Sequence, residues 1–452
     1  MKCGFYESEI TPPLGCNMKG YFRTRLADGV FEKLYVKAVA IEIDDVCGIV
    51  ISVESEFMPQ IVHDVAVERI AAYTGIPSDR VLINATHTHT GGGLGDINDK
   101  SSADSLAYTP DEAYNDVLSR LVGDCGILAY QRLQPASAKM AKTDVHGISF
   151  IRNYVMKDGR ILMNPGWQNP DVLEPFGTLD PELGVVFFCD ENGNPIGAMV
   201  NYALHHDCVS SWPPCTSYCS DYSGIMAKEL KKTYGEHFIT VFVNGTCGNI
   251  NHFDISRTFD DFFADPPYIR IGQRLADEVR NLYDKAEPLD ANGLDGKKEI
   301  IYIERRQLTE EEVQEYKDLI KKYPERTGAE GSVHDPSGEG YKRRRAEAIL
   351  DFHALPPQLP VVVQALKIGN CMMFAVSGEV YSEFGIYMKE HSPLGFTMVA
   401  EMANGGNENY IPTRQAFGTD LYEAQISSSS LIPDAGYIMS DHAVKLAEEL
   451  CK

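Results

Sequence analysis

The chain lacks any long apolar run, because no window approaches the ~18 uninterrupted apolar residues that a membrane-spanning helix needs. Its first residues also lack the apolar segment of a signal peptide, which predicts a cytoplasmic protein unless a leader has been removed. Positive charge is scarce, since 41 Lys and Arg stand against 65 Asp and Glu for a formal net charge of -24. This deficit argues against nucleic acid or an anionic membrane surface as the main partner.

Cysteine patterns and repeats are also missing. The 11 cysteines are odd in number and scattered, which favours reduced, mostly buried thiols over a disulfide framework. No internal repeat is visible, and the glycines that follow His89 do not form the Gly-x-Gly-x-x-Gly pattern of a dinucleotide site. What is present is a chain of 452 residues, 44% hydrophobic and 23% charged, which is the composition of a globular protein with a sizeable core.

Predicted strands and helices alternate along the chain. Apolar, β-branched runs predict strands at 34–43, 48–53, 80–83, 184–188, 196–202, 238–243, 359–366 and 372–376. Amphipathic runs predict helices at 59–74, 110–133, 270–285 and 436–450. The segment 304–350 is highly charged and is predicted to be a helical excursion, opened by a capping box at Thr309 and Glu312 and containing a mobile connection at 328–340. The predicted fold is one α/β domain over residues 1–452, with a mixed central β-sheet flanked by helices and an active site at strand ends.

Polar residues stand just after four of the predicted strands. His87 and His89 follow the strand at 80–83, and alternation along an extended chain predicts that they lie on the same side. His205, the polar loop 245–252 and Glu379 follow three further strands. Two histidines and a carboxylate that meet at strand ends would form a metal site with one position open to water or substrate. The alternative is that each cluster is ordinary loop structure, with its histidines satisfied by hydrogen bonds.

The cysteines offer two further interpretations. Cys208, Cys215 and Cys219 lie close to His205 in sequence and suit a structural zinc site, although their spacing is not the Cys-x-x-Cys of such sites. Cys247 lies in a glycine-rich turn after a strand, where a nucleophile can stand, but a buried structural thiol is the simpler interpretation.

Six motifs together resemble the catalytic domain of the neutral/alkaline non-lysosomal ceramidases, in that family's order and across nearly the whole chain. They are Ala85-Thr-His-Thr-His-Thr-Gly, Asn201-Tyr-Ala-Leu-His, Ser220-Asp-Tyr-Ser-Gly, Gly248-Asn-Ile-Asn-His, Ser377-Gly-Glu, and Tyr410-Ile-Pro-Thr with Tyr422-Glu-Ala. The resemblance implies a hydrolase of amide bonds in N-acyl substrates, either small molecules or lipids such as sphingolipids. It does not extend to the immunoglobulin-like domain that long family members carry.

The resemblance also implies a set of metal ligands. One zinc ion is expected, held by His87, His205, Glu379 and Tyr410. His89, the second histidine of the Thr-His-Thr-His motif, is expected to face the substrate carbonyl or its oxyanion.

The remaining site residues include one departure from the family. Arg152 resembles a substrate-contacting arginine and Tyr422 a site tyrosine, but Asn251 and Asn249 replace the serine and aspartate of the family motif Gly-Asp-Val-Ser-Pro. Since an amide cannot attack a carbonyl, the expected nucleophile is a metal-activated water, whose pKa the metal lowers to ~7. Asn251 would then donate to the oxyanion, a contribution of about 3 kcal/mol. Two alternatives stay open: an esterase of the same fold, and a non-catalytic metal- or ligand-binding homologue that has lost turnover with the serine.

Overall fold

The computed structural model describes residues 1–18, 20, 25–92, 111–209, 215–323, 339–406 and 409–452. Within these residues, three successive stretches of chain contain their elements in the same order. We call them unit one (2–135), unit two (137–288) and unit three (294–450). In each unit, three antiparallel strands precede a helix, a strand parallel to the third one, and a further helix. The predicted mixed α/β class is confirmed, and the strands divide among several mixed sheets, three of them large.

Unit one forms a sheet with the strand order β5-β4-β3-β1-β6. Asp44 and Asp45 make its β3–β4 turn with φ values of 52° and 62°, as a type I′ hairpin turn requires. Helix α1 ends at Gly75, whose φ of 73° is the left-handed conformation in which glycine commonly ends helices. The elements are β1 (Lys2–Glu9), β2 (Gly29–Val30), β3 (Tyr35–Ile43), β4 (Val46–Val53), α1 (Gln60–Thr74), β5 (Val81–Ala85), α2 (Asp111–Gln131) and β6 (Gln134–Pro135).

Unit two forms a sheet with the order β15-β13-β12-β7-β17, in which the predicted hairpin at 184–202 is present as β12 and β13. Helix α3 was not predicted from the sequence, since its first turn contains weak helix formers such as Ser223 and Gly224. The elements are β7 (Ser137–Asp144), β8 (Phe150–Ile151), β9 (Asn153–Met156), β10 (Ile161–Met163), β11 (Val172–Pro175), β12 (Glu182–Cys189), β13 (Pro195–Tyr202), β14 (Ser217–Tyr218), α3 (Asp221–Tyr234), β15 (Ile239–Asn244), β16 (Ile250–Asn251), α4 (Phe259–Phe262), α5 (Pro267–Tyr283) and β17 (Glu287–Pro288).

Unit three forms a sheet with the order β18-β19-β20-β22. The charged segment between β18 and β19 contains two helices, and the first of them opens with the predicted capping box of Thr309 and Glu312. Nearly all of the connection predicted at 328–340 lies outside the described residues. The elements are β18 (Leu294–Glu304), α6 (Glu310–Lys322), α7 (Glu339–His353), β19 (Gln358–Ile368), β20 (Cys371–Val376), β21 (Glu379–Val380), α8 (Ser382–Glu390), β22 (Phe396–Ala400), β23 (Tyr410–Ile411) and α9 (Ala435–Leu450).

The three large sheets share a central core. Leu82 of β5, Val241 of β15 and Met398 of β22 are fully buried in one cluster, which is built from the inner faces of all three sheets. Three further clusters pack helices against the outer faces, α1 and α2 on the first sheet, α3 and α5 on the second, and α8 and α9 on the third. Each fully buried aliphatic side chain stabilises this arrangement by roughly 1.5–3 kcal/mol.

Each large sheet has one parallel pair of strands, and the carboxyl ends of these pairs are tied together. The pairs are β4·β5, β13·β15 and β20·β22. Asn84 donates to Phe242 O at 3.4 Å, and Asn201 donates to Val399 O at 2.8 Å. The side-chain oxygen of Asn404 accepts the Ile83 N–H at 3.2 Å. These amides link the first sheet to the second, the second to the third, and the third to the first, so the strand ends face a common centre.

The structure also bears on the predicted state of the cysteines and on the predicted lack of a membrane-spanning helix. All 11 cysteines lie within the described residues and none forms a disulfide; ten are buried and Cys451 is exposed, which confirms reduced, mostly buried thiols. Among the helices of the described ranges, none has the length and apolar character needed to cross a bilayer.

Candidate active site

Side chains that follow the three parallel pairs meet at one point. His87 follows β5, His205 follows β13, and Glu379 follows β20. The Nε2 atoms of the two histidines are 3.2 Å apart. The Oε2 atom of Glu379 lies 3.4 Å from Nε2 of His87 and 3.2 Å from Nε2 of His205. The structure thus brings these three residues together from three separate sheets, all of them buried.

His89 lies in the same cluster, with its Nε2 atom 3.3 Å from that of His87. The sequence predicted that His87 and His89 lie on the same side because side chains alternate along an extended strand. That reason was wrong, because β5 ends at Ala85 and His87 has a φ of 70°. A left-handed conformation at a non-glycine residue costs on the order of 1 kcal/mol and is characteristic of functional sites. Here it turns the chain so that both imidazoles reach His205, giving three histidines that can hold one metal ion.

The outer ring nitrogens fix which nitrogen of each histidine faces the centre. Nδ1 of His87 lies 2.8 Å from Glu56 O, and Nδ1 of His205 lies 2.9 Å from Cys247 O. A carbonyl only accepts, so each Nδ1 carries a proton and each Nε2 faces Glu379, with a lone pair when its ring is neutral. Two such nitrogens and a carboxylate oxygen within 3.4 Å of one another repel unless a proton or a metal ion lies between them. The residues therefore fit a divalent metal ion.

The electrostatics of the cluster agree with this fit. Burial disfavours a charged imidazole, yet the Glu379 carboxylate raises the pKa of His87 to about 9. Burial and the neighbouring His87 hold the pKa of His89 well below its usual value. Burial opposes ionisation of Glu379 as well, but His87 and His205 keep its pKa well below the usual range. The site stabilises positive charge beside Glu379, which is the charge that a metal ion supplies.

Arg152 lies at the edge of the cluster. Its Nη1 atom is 3.5 Å from Nε2 of His205, and its guanidinium carbon is 5.2 Å from the centre of the Tyr410 ring. Its Nε atom donates to Oε1 of Glu423 at 2.7 Å. Its Nη2 atom is buried and has no hydrogen-bond partner among the described residues, so it remains available to a ligand. Glu423 is a residue that sequence reasoning missed, although it lies inside the Tyr-Glu-Ala motif that was noted for its tyrosine.

The two predicted tyrosines lie next to each other. Tyr410 is paired with Glu379 in the short parallel ladder β21·β23. The Tyr422 ring packs edge-on against the Tyr410 ring, with centroids 5.6 Å apart. Burial and the nearby Glu379 carboxylate raise the pKa of the Tyr410 hydroxyl well above its usual value. Both rings therefore line the side of the cluster that contains Glu379 and Arg152.

Asn251, expected from the resemblance to stand in place of a serine, is held by its neighbours. Its Nδ2 atom donates to Oδ1 of Asn164 at 2.8 Å, and its Oδ1 atom accepts the Phe253 N–H at 3.1 Å. One amide hydrogen is left for a ligand. Asn249 has a structural role instead, because its side-chain oxygen accepts the Ser382 N–H at 2.9 Å.

Glu401, fully buried at the end of β22, is a second residue that sequence reasoning missed. Its Oε2 atom accepts the N–H groups of Cys247 and Val380, each at 3.0 Å. Its Oε1 atom accepts the Cys247 thiol at 2.8 Å. Because burial and the adjacent Glu401 also raise the pKa of this thiol well above its usual value, the structure favours a structural thiol over a nucleophile. Glu401 directly follows a strand, so the strand-end rule that located Glu379 could have found it.

Comparison with solved structures agrees with the predicted resemblance. Neutral ceramidase from Pseudomonas aeruginosa superposes with a TM-score of 0.75, at 18% identity, over 99% of this chain and 74% of that one. A ceramidase complexed with C2 superposes with a TM-score of 0.73, at 17% identity, over 100% of this chain and 75% of that one. No protein-family model and no curated protein matches the chain. The expected likeness to the neutral ceramidases is therefore confirmed at the level of the fold.

Proposed function

We propose that this chain, which has the fold of the neutral ceramidases, is a zinc-dependent hydrolase of amide bonds in N-acyl substrates, small molecules or lipids. It acts as a single catalytic domain. The observation that supports this proposal is the convergence of two imidazole lone pairs and one carboxylate oxygen within 3.4 Å. His87, His205 and Glu379 would hold the ion, with Tyr410 as the fourth ligand that the resemblance implies. When bound, the ion supplies a Lewis acid that activates water and polarises the scissile carbonyl.

The chain's own groups would position the substrate around that ion. The free Nη2 atom of Arg152 donates to the substrate, and Glu423 keeps the guanidinium in place. His89 contacts the carbonyl oxygen as negative charge develops on it. Asn251 contributes its remaining amide hydrogen to the same oxygen, and Tyr422 lines the edge of the site. Donors placed in advance at a developing oxyanion are worth about 3 kcal/mol each, because they need no reorganisation during the reaction.

The test combines hydrolysis and metal content in three variants. We expect His205→Ala to abolish release of fatty acid from short N-acyl amines and to lose one equivalent of metal, because it removes a ligand. Asn251→Ala should keep the metal and lose about 100-fold in kcat, as removal of one oxyanion donor does. His391→Ala is the matched control, since this histidine is exposed at the end of α8.

Three results would contradict the proposal. If His205→Ala retained its metal, the ligand assignment would fail. If wild type released products from esters but not from amides, the chain would be an esterase of the same fold. A wild type that binds metal but cleaves neither class would be a binding protein that lost turnover when Asn251 replaced the serine.

A further inference from the structure

A second group of metal-binding side chains lies beside the first. Asp207, Cys208 and His252 place one ligand atom each within 4.8 Å of one another. Oδ1 of Asp207 is 3.2 Å from Nδ1 of His252. Cys208 and His252 are 0% and 1% exposed, and the Asp207 side chain is 18% exposed. A carboxylate, a thiol and an imidazole are thus gathered in the interior.

This group shares one strand end, that of β13, with the first site. Asp207 and Cys208 lie two and three residues after His205 in the segment that follows β13, and His252 follows β16, which comes after β15 in the chain. The Asp221 carboxylate at the start of α3 interacts with the Cys208 thiol and lies beside this group. The Asp221 carboxylate is itself held by the N–H groups of Val209 and Tyr222, at 3.0 and 2.6 Å.

The spacing of these donors suits one shared ion. Two ligands bonded at ~2.0–2.1 Å to a tetrahedral zinc lie about 3.3 Å apart. Asp207 and His252 contact each other directly as a carboxylate–imidazole pair, and their separation of 3.2 Å is also the one that two ligands of a shared zinc ion would have. Burying two carboxylates with a single imidazole leaves negative charge that a cation would balance.

We propose that Asp207, Cys208 and His252 form a second metal site of this protein, separate from the His87/His205/Glu379 cluster, with a fourth position open to water. A mixed sulfur, nitrogen and oxygen donor set selects zinc or a similar transition ion over calcium or magnesium. Cys208 binds as the thiolate, and its proton leaves to solvent. The ion joins the segment that contains His205 to the segment that contains Asn251, so its role is to position both. The three cysteines that the sequence offered as a zinc site contribute one ligand, Cys208.

Cobalt distinguishes the two sites, because a thiolate bound to Co²⁺ gives an intense near-ultraviolet charge-transfer band that a histidine–carboxylate site lacks. Protein is produced in minimal medium with cobalt as the only added transition metal, desalted and analysed for metal per chain. We expect two equivalents and the thiolate band in wild type. Cys208→Ser should keep one equivalent and lose the band. His87→Ala, the matched control in the first site, should keep one equivalent and retain the band.

The outcomes separate this proposal from the proposed function. A wild type that holds one equivalent and shows no thiolate band would overturn the second site without any variant, as would a band that survives Cys208→Ser. If His87→Ala kept both ions, the hydrolase site would fail while the second site stood. His252→Gln, which leaves the thiol in place, is the second variant; we expect its cobalt affinity at this site to fall at least tenfold, and an unchanged affinity would contradict the proposal.

Discussion

Replacing Glu401 tests whether the candidate site depends on a residue that touches neither metal nor substrate. Glu401→Ala removes the carboxylate that accepts the backbone N–H groups of Cys247 and Val380, and both groups remain buried. A buried donor left without an acceptor costs about 1–3 kcal/mol, so two of them lower the free energy of unfolding by about 4 kcal/mol. Urea denaturation in the presence of a chelator measures this loss without a contribution from bound metal.

The same variant should weaken metal binding. Glu401 anchors the Cys247 carbonyl that orients His205, and it anchors Val380 next to Glu379. Loss of such outer contacts typically lowers metal affinity 10–100-fold. We expect this decrease for zinc in Glu401→Ala, measured by competition with a chromophoric chelator.

Glu401→Gln is the matched control for both measurements. Its amide oxygen can still accept the two backbone N–H groups, and burial raises the pKa of Glu401 to about 8, so a neutral side chain is a close substitute at pH 7. We expect it to cost about 1 kcal/mol and to leave zinc affinity within a few fold. Equal losses in the Ala and Gln variants would refute the reasoning, since they would show that the shared acceptor is not what holds the two segments.

Two further predictions concern groups away from the metal cluster. Burial, with a smaller effect of Lys298, lowers the pKa of His63 from 6.5 to about 4, so the stability that depends on its neutral form is present above pH 6.5 and is lost as the pH falls towards 4. Between pH 7 and pH 4.5, wild type should lose about 2.5 kcal/mol more unfolding free energy than His63→Phe, and parallel urea titrations with equal losses would contradict this. Glu423→Ala leaves the buried Arg152 guanidinium without its carboxylate partner and should cost about 3–5 kcal/mol in the same assay, whereas Arg414→Ala, in an exposed pair, should leave the free energy of unfolding nearly unchanged. Adding Arg152→Met to Glu423→Ala should recover part of the loss; strictly additive effects would show that the two side chains do not interact.

Local patterns in the sequence determined most of the elements. Continuous apolar, β-branched runs located β3, β4, β12, β13 and β20, because these strands are buried on both faces. The capping box at Thr309 predicted where α6 begins, and the amphipathic run predicted at 59–74 ends where α1 ends, at Thr74. These signals are readable from sequence because the interactions join residues a few positions apart.

The sequence also predicted that polar side chains placed shortly after predicted strands would meet, and the structure brings His87, His205 and Glu379 together. The sequence could not tell which further side chains would join them. Glu401 and Glu423 have partners 154 and 271 residues away, and nothing in their local sequence marks those contacts. Similarly, the side chains grouped with Cys208 around a possible metal position are Asp207 and His252, and not the cysteines that were considered with it from sequence.

The threefold order of the units was invisible in the sequence and was decided only by tertiary structure. Each unit needs the same arrangement of apolar faces, but many combinations of Val, Ile, Leu, Phe and Met fill a core equally well, so the units share a pattern of burial without sharing residues. The conformation of His87 is likewise a tertiary result. Its left-handed backbone is locally unfavourable, and it persists because the surrounding contacts from three sheets stabilise it by more than it costs.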